Sequence, residues 1–107
     1  DAFGFFGYSY LVANKDKIKA SSINGVQPSL EGIQDYSYPI ARPLFFYVKK
    51  AHIGVIPGIK EFLKEFTSKK AMSNRGYLAE IGLVPLASDK YKVTRTAAID
   101  LNTINLK

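Results

Sequence analysis

The apolar positions of this chain form two kinds of pattern, short extended runs and one helical period. The runs fall at residues 3–6, 18–23, 44–48 and 83–86, between stretches that favour helices. Continuous runs bounded by glycine or proline are typical of strands. Alternating strands and helices indicate the α/β class, with a mixed sheet flanked by helices.

The run from Leu44 to Val48 is the strongest strand candidate. Its residues, Leu-Phe-Phe-Tyr-Val, all favour β-structure. Pro39 and Pro43 precede it and bracket Arg42, so the approach to the run must be extended or turned. We expect a strand buried on both faces, because parallel and mixed sheets covered by helices contain such runs.

The clearest helix is predicted to begin at Pro57 and to extend to residue 69. Ile59, Phe62, Leu63 and Phe66 share one helical face, while lysine and glutamate fill the other. A short helix is expected after Ser29 as N-cap, and another after Ser73 as N-cap with Gly82 at its end. Residues 8–14 favour a short helix or a further strand. The tail from residue 87 allows a helix that nothing caps well.

Length and composition limit the chain to one domain. It has 107 residues, of which 47% are hydrophobic, and it lacks a membrane-length apolar run. The absence of cysteine excludes disulfides, thiolate catalysis and cysteine-based metal sites. The sequence begins at Asp1 with neither methionine nor a signal-peptide pattern. We therefore expect a processed product or a piece of a longer protein.

The net charge of +6 raises the question of an anionic partner. Residues 3–8 match the aromatic core of the RNP1 signature of RNA-recognition domains. Asp1 and Ala2, however, stand where that motif requires a basic residue and glycine. Scattered lysines are more often a solvated surface. We therefore expect no nucleic-acid partner and keep a free-standing basic interaction module, binding nucleic acid or a protein, as the alternative.

Candidate catalytic chemistry is sparse. His52 is the only histidine and has no nucleophile or metal-ligand pattern near it in sequence. No carboxylate pair resembles a glycosidase or metal site. We expect no enzyme activity, no cofactor and no metal. Arg42 is the one candidate anion ligand, since a guanidinium held between prolines can bind an anion through two donors, although a structural role is favoured.

Several segments together resemble the C-terminal part of the phosphate-binding proteins that serve bacterial phosphate ABC transporters. The resemblance spans residues 2–86, in order and spacing, and rests on these stretches: Ala-Phe-Gly-Phe-Phe-Gly-Tyr-Ser-Tyr at 2–10, Ile-Asn-Gly-Val-Gln-Pro-Ser at 23–29, Tyr-Pro-Ile-Ala-Arg-Pro-Leu at 38–44, the helix at 58–66, Gly-Tyr-Leu at 76–78 and Gly-Leu-Val-Pro-Leu at 82–86. Residues 87–107 form a C-terminal tail without such a signal.

The resemblance implies a partial lobe of a type II periplasmic binding protein fold. Residues 1–86 would be a C-terminal segment of that domain, with a hinge strand at about 2–7 and the remainder in the first lobe. The full-length protein would capture inorganic phosphate and deliver it to a membrane permease. It would be periplasmic, or anchored at the cell surface in a Gram-positive host. The family's phosphate-ligand loops precede this segment, so we expect the chain to accompany the rest of its protein or to pair with another copy.

Overall fold

The computed structural model describes residues 2–104, so residue 1 and residues 105–107 lie outside the described part. The six α-helices found there are, in chain order, α1 (Tyr8–Ala13), α2 (Leu30–Gln34), α3 (Ile59–Phe66), α4 (Lys69–Met72), α5 (Tyr77–Glu80) and α6 (Ser88–Ile99). A single 3-10 turn, Lys50–His52, precedes α3. Within the described part, no helix is both long and apolar enough to cross a membrane.

The predicted mixed sheet is wrong for the chain as described. Residues 2–104 contain no strand, only isolated bridges between Ile23 and Val26 and between Ile53 and Ile56. The runs at 3–6, 44–48 and 83–86 are irregular, without a neighbouring strand, and the run at 18–23 is irregular except for the isolated bridge at Ile23. A strand is stable only when a neighbour pairs with its backbone, and sequence preference alone does not supply that neighbour.

Helix α3 confirms the predicted apolar face, but the predicted start at Pro57 and the predicted end at residue 69 are wrong, because α3 ends at Phe66. The helix begins at Ile59, because Gly58 takes a left-handed φ of 87° and thereby keeps Pro57 outside the first turn. Leu63 is buried, and Phe66 and Phe62 pack in an aromatic cluster with Phe46. The helical face that the spacing of the apolar residues predicts is therefore the face that packs.

The remaining helix predictions are also confirmed only in part. Ser29 caps α2 as predicted, because its Oγ accepts a hydrogen bond from Gly32 N at 3.0 Å. Ser73 does not begin a helix; it ends α4, which Ser68 caps through Ala71 N. Gly82 has the left-handed φ expected after a helix, at 98°. The tail is helical, as α6, without a side-chain cap.

The core lies among α3, α4, α5 and α6. α3 contacts both α4 and α6, and α4 contacts α5. The buried side chains of this core are Leu63, Thr67 and Ala71. Gly76 fits against the end of α4 so closely that an added Cβ would overlap the carbonyl oxygen of Ala71 and lie 2.6 Å from its carbonyl carbon. This close approach requires glycine between α4 and α5.

The chain as a whole is extended. Its Cα radius of gyration is 16.6 Å, whereas a compact domain of this length has about 13 Å. Its solvent-accessible surface is 8628 Å², whereas a folded monomer of 11.9 kDa exposes about 6,000 Å². The excess is therefore roughly 2,600 Å², which indicates that much of the chain lacks a packing neighbour.

Candidate functional site

Arg42 lies in the loop between its two prolines, and its guanidinium contacts its own loop. Nη1 donates hydrogen bonds to the carbonyl oxygens of Ala41, at 2.9 Å, and Pro39, at 3.2 Å. The side chain is exposed. These bonds use one of the guanidinium nitrogens to brace the loop and leave the planar group open to solvent. Anion binding by Arg42 therefore stays a prediction. The structure adds that the side chain of Arg42 contacts its own loop.

His52 is exposed at the end of the 3-10 turn. No group of three or more histidine, aspartate or glutamate side chains in residues 2–104 is arranged to hold a metal ion. His52 therefore has no metal-ligand partner among residues 2–104.

A surface cleft lies at the start of α3. It has a volume of about 440 Å³ and is lined by Lys49, Gly58, Phe62 and their neighbours. The cleft is wide open, and most of its lining surface is apolar. A built ligand site instead encloses its ligand and directs several polar groups toward it. This cleft is therefore a gap between Tyr47 and the helix, not a formed binding pocket.

The most developed polar network joins α6 to the end of α3, and sequence reasoning missed it. Tyr91 Oη and Arg95 Nη1 both donate to the carbonyl oxygen of Thr67, at 2.9 and 2.6 Å. Thr67 Oγ1 in turn donates to Leu63 O at 2.7 Å. The last carbonyls of a helix lack intrahelical partners, and cations there also favour the helix dipole. The network therefore fixes the helices together; the four-residue spacing of Tyr91 and Arg95 was the available signal.

The main surface feature is aromatic and apolar. We define the aromatic surface as the side chains of residues 3–6 and 44–47 that remain exposed. Phe5 is 85% exposed, Leu44 80%, Phe45 67% and Tyr47 66%. Phe45 and Tyr47 stack on one another, whereas Phe46 turns toward Phe66 of α3. Residues 44–48 thus have apolar side chains on two faces, and α3 covers only one of them.

The backbone around the aromatic surface is also without partners. Residues 43–48 form no backbone–backbone hydrogen bond with any residue in 2–104. Exposed apolar side chains favour contact with another surface, because burying them removes apolar area from water. The exposed apolar side chains can therefore bind another polypeptide surface.

Comparison with known proteins gives a family match over most of the chain. A family model described as "PBP superfamily domain" matches residues 2–70. Among curated proteins, the phosphate-binding protein PstS of Staphylococcus aureus strain USA300 is 38% identical over 86 residues, which cover 74% of this chain and 26% of that protein. PstS of strain COL has the same identity and coverage. PstS of the bovine strain RF122 / ET3-1 is 36% identical with the same coverage.

The chain spans about a quarter of the length of these relatives. No solved structure matches the chain. The resemblance to phosphate-binding proteins that the sequence motifs indicated is confirmed by the family model and by these identities. The aromatic surface lies wholly within the matched residues 2–70.

Proposed function

The chain belongs to the PBP superfamily, and from that premise we propose that it is part of the solute-binding component of a phosphate ABC transporter. The full-length protein would capture inorganic phosphate for uptake. The observation that carries this proposal is the 38% identity to the Staphylococcus aureus phosphate-binding protein PstS over 74% of the chain. Relatives with that name are binding proteins, which supports a role without catalysis at the level of the family.

The phosphate ligands themselves are proposed to lie outside this chain. The cleft at the start of α3 is wide open and mostly apolar, and the guanidinium of Arg42 braces its own loop. A chain that spans 26% of its relatives leaves room for ligand loops elsewhere in a protein of that length. Arg42 is therefore expected to stabilise the loop and to contribute little to phosphate affinity.

The partners follow from the same proposal. The protein would deliver phosphate to the membrane permease of the transporter, from the periplasm or from a cell-surface anchor in a Gram-positive host. The remainder of the same protein would cover the aromatic surface. This assignment is supported by the exposed area of the chain, which exceeds that of a compact monomer of this mass by roughly 2,600 Å².

The alternative function, a basic module that binds nucleic acid or a protein partner, receives no support from the matched relatives. The exposed phenylalanines at 3 and 5 form an edge-to-face pair with each other, whereas base-stacking platforms present their ring faces to successive bases. We therefore keep phosphate capture as the single proposed function.

Isothermal titration calorimetry of the full-length protein with inorganic phosphate tests this proposal. We expect saturable heat with phosphate and much less with sulfate at equal concentration. The variant Arg42→Ala should bind phosphate with nearly the wild-type affinity. A folded full-length protein that gives no heat at millimolar phosphate would overturn the proposal. A large loss of affinity in Arg42→Ala without loss of stability would instead make Arg42 a ligand.

A further inference from the structure

Asn24 and Gly25 form the centre of an exposed two-residue turn. Asn24 has a φ of 50° and Gly25 a φ of 79°, both in the left-handed region that this kind of turn requires. The turn is closed by Ile23 N donating to Val26 O at 2.9 Å and Val26 N donating to Ile23 O at 3.0 Å. This bridge is isolated, because no strand extends it on either side among residues 2–104. The turn therefore opens at the cost of few interactions.

The backbone nitrogen of Gly25 is accessible. It forms no backbone hydrogen bond with any residue in 2–104. Nothing lies within 4 Å of the position that a Cβ of Gly25 would take, and both residues are exposed. Glycine also adds no side chain that would hinder approach of its own nitrogen to the preceding residue. These features bring together a side-chain amide and an unshielded nucleophilic nitrogen next to it in the chain.

We propose that Asn24 is a site of spontaneous deamidation. The nitrogen of Gly25 loses its proton and forms a bond to Cγ of Asn24, the Cγ–Nδ2 bond breaks, and Nδ2 leaves as ammonia. Water then opens the resulting five-membered imide at either carbonyl, which leaves aspartate or isoaspartate at position 24. The reaction consumes one water and releases one ammonia, and no electrons are transferred.

The product changes both charge and turn geometry. A new carboxylate lowers the formal net charge of +6 by one. Isoaspartate lengthens the backbone by one carbon, so a two-residue turn with paired hydrogen bonds no longer fits between Ile23 and Val26. The test for this site measures a change of mass and not phosphate binding.

Position 24 is distinguished from the other asparagines by its neighbour. Asn24 is the only asparagine that is followed by glycine. Asn74, also exposed, precedes Arg75, and Asn14 donates its side-chain amide to Tyr10 O at 2.9 Å. Asn74 is therefore an internal reference of matched exposure and slower expected chemistry.

The test is tryptic peptide mapping by mass spectrometry after incubation of the native full-length protein at mildly alkaline pH. The peptide that begins at Ala20 is expected to gain about 1 Da and to split into aspartate and isoaspartate forms. It should do so about tenfold faster, or more, than the peptide from Ala71 to Arg75 that holds Asn74.

Two variants make the result specific. Asn24→Gly keeps a residue that accepts positive φ but has no amide, so the mass gain should vanish. Gly25→Ala keeps the amide and should slow the reaction severalfold, with folding checked by circular dichroism. Equal rates at Asn24 and Asn74 in the native protein, or reaction at Asn24 only after denaturation, would overturn the proposal.

Discussion

Residues 59–99 and residues 2–58 have similar shares of apolar side chains but bury them very differently. In the first region, Leu63, Thr67 and Ala71 are buried among four helices, and polar contacts from α6 secure the end of α3. In the second, Phe5, Phe45 and Tyr47 remain largely exposed, and no hydrophobic residue from 2 to 58 is fully buried. A helix satisfies its own backbone and needs only one packed face, whereas an extended run needs neighbours beside it.

The contrast also bears on function. The family model matches residues 2–70 and therefore includes all of the less packed region, residues 2–58. The exposed apolar residues of that region belong to a PBP superfamily domain. We infer that this region is shaped for contacts that the rest of the protein supplies. The helical region also exposes Ile81 and Val93, but it contains the buried side chains of Leu63 and Ala71. Substitutions at equivalent residue types in the two regions should therefore have unequal effects.

The largest difference is expected between two leucines. Leu63 is 6% exposed and Leu44 is 80% exposed. Leu63→Ala leaves a cavity in the core and should lower the free energy of unfolding by about 2–5 kcal/mol. In the isolated chain, Leu44→Ala should change it by less than about 0.5 kcal/mol. Urea unfolding followed by circular dichroism measures both, and equal losses would show that the two regions are packed alike.

A pair of glycines should give the next largest difference. A Cβ at Gly76 would overlap the backbone of Ala71, whereas one at Gly7 would lie 3.8 Å from the nearest atom outside its immediate neighbours, Ser9 Oγ. Gly76→Ala should therefore cost about 1–3 kcal/mol through forced backbone shifts. Gly7→Ala should be close to neutral, because Gly7 has an ordinary φ of −65°. If thermal unfolding finds Gly76→Ala as stable as Gly7→Ala, the α4–α5 junction is not closely packed.

Two arginines provide a smaller contrast. Arg95 is half-buried and donates to the carbonyl oxygen of Thr67, while Arg42 is exposed and donates within its own loop. Loss of a charged donor to a buried carbonyl costs about 1.5–3 kcal/mol, so Arg95→Ala should lower stability by that amount. Arg42→Ala should lower it by no more than about 1 kcal/mol. The reverse order in denaturant unfolding would contradict the roles given to the two side chains.

The smallest effect concerns Asp35, in the less packed region. The backbone N–H of Ser37 donates to Asp35 Oδ1 at 2.8 Å and lowers the pKa of that carboxyl from its usual value of 3.8. A hydrogen bond with the side chain of Ser37 and the positive charge of Lys90 also lower this pKa. The ionised form therefore stabilises the folded loop above pH about 3.8, and this contribution is lost as the pH falls through the lower folded pKa.

A titration of the Asp35 carboxyl carbon by NMR measures this pKa directly. A value at or above 3.8 would show that the Ser37 contact does not persist in solution. The variant Lys90→Met should raise the pKa slightly, since Lys90 contributes less than the hydrogen bonds do.

Local signals in the sequence predicted local features well. The i, i+3, i+4, i+7 period marked the packing face of α3, Ser29 marked the start of α2, and Gly82 marked the left-handed residue after α5. Each depends on residues within one or two turns of each other. The family resemblance was also accessible, because it rests on the order of several short motifs.

Features that depend on distant residues were predicted poorly. The run from Leu44 to Val48 has strong β-preference, but pairing requires another strand, and none is present in residues 2–104. Ser73 has the residue type of an N-cap, yet Ser68 takes that role and Ser73 ends α4. The contacts of Tyr91 and Arg95 with Thr67 join residues 24 and 28 positions apart, and only the packing of α6 on α3 creates them. Neither the sequence nor the structure of residues 2–104 indicates an anion-binding residue other than Arg42.

Hydroxyl-radical footprinting tests the central claim most directly, because it measures the solvent accessibility of individual side chains. It should be applied to the 107-residue chain alone and to the full-length protein. We predict that Phe5, Phe45 and Tyr47 react rapidly in the isolated chain and become strongly protected in the full-length protein, while Leu63 is protected in both. Equal, rapid reaction of Phe45 and Tyr47 in both proteins would contradict the account, since the aromatic surface would then have no covering partner within its own protein.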